Sequence, residues 1–131
     1  MSGASTASPV DAFDLPEWLG TGLVTWTAVS SVHAGHLVRG ELSGQGDADS
    51  LGCDLLGADQ AFPVPVLDDS WRRQTHQAWT HGQVLLVEYD GRLTLAVPGT
   101  SFTADLVLEA IGRLAKAVGV KPGEFVAALR L

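Results

Sequence analysis

The chain has 131 residues, 46% of them apolar and 18% charged, with a net charge of −7 and a single cysteine. That length suits one ordinary domain with a substantial core, and the composition excludes a largely disordered chain. Residues 1–70 hold ten acids against one base, Arg39, while residues 71–131 carry five acids and seven bases, so no basic stripe for nucleic acid exists.

The opening residues, MSGASTASPV, lack the basic and apolar regions of a secretory signal. The longest apolar stretches fall short of the roughly 20 residues that span a bilayer. With Cys53 alone, no intramolecular disulfide can form, and a cytoplasmic protein without membrane association is expected.

In chain order, residues 1–9 read as a flexible tail and 10–131 as one α+β domain. Val10, Phe13, Leu15, Trp18 and Leu19 recur at loosely helical spacing, with Pro16 placed for the first turn of a short helix starting near Asp14. Residues 23–32 (LVTWTAVSSV) alternate β-branched and aromatic types and predict a strand. His33 to His36 then form a short connection, and Leu37 to Leu42 return as the second arm of a hairpin. Residues 43–50 compose a loop. A weaker strand is expected from Asp54 to Phe62, ended by Pro63 and Pro65.

Asp68 or Asp69 should cap a helix running to about His81, with Gly82 as its stop. The clearest pattern follows: VLLVEY (84–89), Asp90-Gly91, RLTLAV (92–97). Asp-Gly between apolar arms is the preferred type I′ turn, whose two central residues need positive φ. It pairs positions summing to 181, placing Val84, Leu86, Glu88, Leu93, Leu95 and Val97 on one face. Leu85, Val87, Tyr89, Arg92, Thr94 and Ala96 fall on the other. Thr103 should cap a last helix to about Val118 with Val107, Ile111, Leu114 and Val118 facing the core, Glu109 and Arg113 paired, and Gly119 ending it. Residues 124–131 (EFVAALRL) fit strand and helix periods equally.

The candidate chemistry is sparse. His33 and His36 bracket a turn and could share a metal, but a four-coordinate site would also need Cys53 or an acid brought in by the fold. His76 and His81 lie five apart, about 140° around a helix, and so do not converge. Cys53 has Asp54 beside it, which raises a thiol pKa and suppresses thiolate. The serines lack a nucleophile elbow, and Ser43-Gly44-Gln45-Gly46 lacks the P-loop lysine. Four tryptophans could line a ligand pocket, but Trp26, Trp71 and Trp79 sit where strand and helix patterns point inward. Trp18, on the N-terminal segment, could clamp that segment or meet a partner.

The order of elements over residues 69–118, a helix ending at Gly82, then QVLLVEYDGRLTLAVPG, then the helix from Thr103, resembles the secretion-chaperone-like fold. That fold is shared by type III secretion chaperones and putative bacterial sensory-transduction regulators. The resemblance implies a non-enzymatic binding or chaperoning dimer without catalytic positions.

The expectation is therefore an antiparallel sheet of about five strands with helices mainly on one face. The function expected is a non-enzymatic protein-binding, chaperone-like or regulatory module, with no cofactor. A two-fold copy seated on the hairpin's second face or on the last helix would make a homodimer, with an unidentified protein as a further partner. Trp18, Leu85, Val87, Tyr89 and Arg92 are the expected partner-binding residues. The alternatives are a small enzyme or metal protein using His33 and His36 with Cys53 or an acid, and a small-ligand binder with a tryptophan-lined pocket.

Overall fold

A computed structural model describes residues 8–20, 22–30, 37–44, 50–58, 69–99, 102–119 and 127–130, with residues 69 and 127–130 described by backbone alone. The protein is α+β. Its strands are β1 (Ser8–Pro9), β2 (Val24–Ala28), β3 (Leu37–Val38), β4 (Gly40–Ser43), β5 (Ser50–Gly57), β6 (Leu85–Tyr89), β7 (Arg92–Val97) and β8 (Ala127–Arg130). Its helices are α1 (Asp69–Thr80) and α2 (Ala104–Ala117).

Both hairpin pairings form, the second with the register its turn dictates, the first with a shorter leading strand that ends at Ala28 rather than Val32. β6 and β7 pair Tyr89 with Arg92 and Leu86 with Leu95, the register summing to 181. Asp90 and Gly91 both have positive φ, 60° and 73°, as a type I′ turn requires. β2 pairs antiparallel with β4; residues 31–36 of the connection, His33 and His36 among them, lie outside the described residues. β3 and β4 keep one continuous register against β5, Val38 facing Leu55 and Glu41 facing Gly52, so they act as a single strand interrupted at Arg39.

The sheet differs from the expected one in three respects. It runs β1-β6-β7-β5-β4-β2-β8, more strands than expected, and it is mixed: β5 pairs parallel with β7, and β2 parallel with β8. The parallel β5–β7 step exists because α1 and β6 intervene in sequence, which returns β7 in the direction of β5. Thirdly, the helices do not keep to one face. The first face carries the main core, in which Val24, Trp26, Leu42, Leu55 and Leu95 meet Val107, Ile111 and Leu114 of α2. On the second face Trp71 of α1 packs with Leu56, Ala58, Val87 and Ala96. α1 then reaches the first-face core with Trp79.

The second hairpin face is thus covered within the chain over its apolar half. Val87 is fully buried and Ala96 1% exposed, so the surface that called for a two-fold copy is already occupied there.

The weak third strand is in fact the centre of the sheet, and it begins at Ser50 rather than Asp54; residues 59–62 lie outside the described residues. The N-terminal segment forms two single 3-10 turns, Ala12–Asp14 and Glu17–Gly20, instead of a helix, the first held by the Asp11 side chain accepting from the Phe13 N–H. α2 has its Thr103 cap, accepting from the Leu106 N–H, and ends before Gly119 at φ 82°. Residues 127–130 form a strand.

Candidate functional site

The most concentrated polar chemistry among the described residues lies in the middle of the sheet. Register places it. Arg39 stands opposite Asp54 between the Val38–Leu55 and Glu41–Gly52 pairs, and Thr94 of β7 neighbours Asp54 on its other side. Alternation along β3, β5 and β7 sends Arg39, Asp54 and Arg92 to the second face, beyond the part covered by Trp71.

Asp54 is completely buried, and a buried carboxylate is costly unless its lone pairs are filled. Here all four bonds are made. Oδ1 accepts from the Gly40 N–H at 3.1 Å and Arg92 Nη2 at 3.0 Å; Oδ2 accepts from Arg39 Nη1 and Arg92 Nε, each at 2.9 Å. Arg92 binds side-on with two donors, the strong geometry for a guanidinium. Its Nη2 also donates to the Gly40 carbonyl at 2.8 Å. Arg39 Nη2 reaches Asp90 at the hairpin turn, at 2.6 Å. Both arginine pKa values are raised, that of Arg39 chiefly by the hydrogen bond to Asp90 and that of Arg92 chiefly by the bond to Asp54.

Two glycines make this possible. A Cβ on Gly52 would lie 2.7 Å from Arg92 Cζ, so the guanidinium rests where a side chain would stand. A Cβ on Gly40 would lie 2.2 Å from the Trp26 ring on the opposite face. Trp26 is fully buried and its Nε1 donates to the Cys53 carbonyl at 2.9 Å, so both faces of β5 are held at this point.

The anchored guanidiniums are not themselves buried. The side chains of Arg39 and Arg92 are 31% and 36% exposed, and Asp90 is 52% exposed. Arg92 spends neither N–H of Nη1, and Arg39 does not spend its Nε–H, on any acceptor among the described residues. Tyr89, paired with Arg92 across the hairpin, is half-buried beside them.

The residues expected from sequence to bind a partner are therefore divided. Tyr89 and Arg92 come together at this cluster. Val87 is sealed in the second-face core with Leu85 packed beside it, and Trp18 is half-buried against the first-face core at a distance in the fold. Of the groups named for catalysis, His33 and His36 lie outside the described residues. Cys53 is fully buried and its thiol pKa is pushed well up, by burial first and Asp54 second. His76 Nε2 lies 3.2 Å from the Ala58 carbonyl and His81 Nδ1 2.9 Å from that of Gln77. No group of three metal-ligating side chains occurs among the described residues. Three surface grooves formed by described residues carry no tryptophan in their linings.

Sequence reasoning missed Asp54 and Arg39. One feature pointed to them: Arg39 is the lone base among ten acids in residues 1–70. No described helix is long and apolar enough to cross a membrane. No protein family, curated protein or solved structure matches the chain.

Proposed function

We propose that this chain is a cytoplasmic, non-enzymatic protein-binding module whose binding surface is the polar end of the second sheet face, formed by Arg39, Tyr89 and Arg92. The observation that carries the reading is the pair of half-exposed guanidiniums fixed on one buried carboxylate. Arginine and tyrosine dominate binding hot spots because they offer large contact area and several donors, and here little rotamer entropy is left to lose. His76, His81 and Cys53 contribute to internal bonding or burial, which leaves no nucleophile and base side by side among the described residues. The likeness of residues 69–118 to secretion-chaperone-like proteins implies the same class of role, including self-association.

The test is affinity capture from the native host with the wild-type chain, with Tyr89→Ala, and with Lys116→Glu as a control on exposed α2 surface. A partner, or a second copy of the chain, retained by wild type and Lys116→Glu and lost with Tyr89→Ala supports the reading. Capture indifferent to Tyr89, with the fold intact by circular dichroism, refutes the assigned surface.

A further inference from the structure

We infer that the Arg39–Arg92 pair is a recognition site for a carboxylate presented by a partner protein, and that Asp90 occupies it as an internal stand-in when no partner is bound. The inference deepens the proposed function and rests on it.

Asp54 fixes the geometry but neutralises only one of two positive charges. The second is balanced by Asp90, and the two contacts differ in kind. Asp54 is fully buried and bonded through both oxygens, whereas Asp90 touches Arg39 through a single oxygen and is 52% exposed. An exposed, single-point pair of this kind is worth little and exchanges readily with solvent and ions. The buried pair is the fixed half of the site, and the Asp90 contact is the replaceable half.

The unspent donors give an incoming carboxylate more than Asp90 takes. The Arg92 guanidinium is packed over Gly52, and its Nη1 and the Arg39 Nε–H are unspent among the described residues. A free carboxylate replacing Asp90 can take the Arg39 Nε–H together with Nη2, in the forked geometry Arg92 already uses on Asp54, with the Arg92 charge alongside. Asp90, carried on a two-residue turn at φ 60°, meets Arg39 through one oxygen and one nitrogen. Among the described residues the competing charge on the same face is Glu41, exposed opposite Gly52 and ion-paired with neither arginine. It weakens binding of an isolated anion, so a small carboxylate should bind in the millimolar range, and a partner's carboxylate should add specificity to a larger contact.

Asp90→Asn isolates the effect, since asparagine also accepts positive φ and keeps the turn while removing the competing charge. The experiment is titration of 15N-labelled wild type and Asp90→Asn with sodium acetate, and separately with inorganic phosphate, each against sodium chloride at matched ionic strength. We expect acetate-specific shifts of the Arg92 Nε–Hε and the residue-90 and Gly91 amides, saturating at lower acetate in Asp90→Asn by about two- to five-fold. Shifts no larger than those from chloride, or equal or weaker affinity in Asp90→Asn, overturn the inference. Phosphate binding more tightly than acetate overturns the assignment to carboxylate. These results are independent of the Tyr89→Ala capture: acetate can fail to bind while a partner is still captured through Tyr89, which refutes the carboxylate site and leaves the binding module standing.

Discussion

Replacing Asp54 by asparagine preserves its shape and removes its charge, and the structure sets the cost. The carboxylate accepts four bonds, three from guanidinium nitrogens and one from a backbone N–H. In asparagine one oxygen becomes an NH₂ that faces donors rather than accepting from them. Breaking a buried charge pair from one side costs about 3–5 kcal/mol, but the two arginines are 31% and 36% exposed, and water can recover part of the loss. The estimate is therefore about 3 kcal/mol. For a chain of 131 residues this corresponds to a fall in melting temperature of about 10 °C. Urea denaturation followed by tryptophan fluorescence reads the change, because Trp26 is bonded to the neighbouring Cys53 carbonyl. Asp90→Asn, which breaks only an exposed pair, should cost within about 1 kcal/mol. An Asp54→Asn cost under about 1 kcal/mol, or one no larger than that of Asp90→Asn, refutes the assignment of Asp54 as the anchor.

Further perturbations separate the causes. Gly40→Ala places a methyl 2.2 Å from the buried Trp26 ring and should cost about 2–3 kcal/mol by overpacking, with a shifted tryptophan emission maximum. Gly91→Ala meets no atom within 4 Å but has φ 73°, so conformation alone should cost about 1–2 kcal/mol in the same denaturation assay. Thr103→Ala removes the cap on the Leu106 N–H at 3.1 Å and should cost about 1 kcal/mol. Burial raises the Cys53 thiol pKa in the fold, so the native state holds its proton while the unfolded thiol ionises above a pKa of about 8.5. The unfolded state then binds fewer protons, and stability must fall as pH rises, by about 1.4 kcal/mol at about pH 9.5. Cys53→Ala should lose that part of the alkaline slope, and an unchanged slope contradicts the buried-thiol account.

Where local chemistry decides the structure, the sequence is readable. Asp90-Gly91 demands two positive φ values and so fixes the hairpin register, and Thr103 and Gly119 bound α2 through a cap and a left-handed stop. Residues 127–130 are settled only by parallel pairing with β2, which no local period contains. The centre of the sheet was hidden for the same reason. Gly52 and Asp54 are poor strand residues, and their presence in β5 is justified by Arg39, fifteen positions away, and Arg92, thirty-eight away. The hairpin's two apolar faces were legible, but the cover for the second face, α1 with Trp71, comes from within the chain. Of the site itself, Tyr89 and Arg92 could be placed on one face from the turn register, whereas the buried carboxylate that holds Arg92 could not.

The central claim is that Arg92 is held rigidly on Asp54 while remaining half-exposed. The most direct measurement is the exchange rate of the arginine Nε–Hε protons by 15N NMR. Arg92 Nε donates to Asp54 at 2.9 Å, whereas the Arg39 side chain bonds, among the described residues, through its terminal nitrogens. The account predicts a resolved, slowly exchanging Hε for Arg92, a fast one for Arg39, and loss of the Arg92 protection in Asp54→Asn. An Arg92 Hε exchanging at the rate of free arginine in the folded wild-type protein would contradict it.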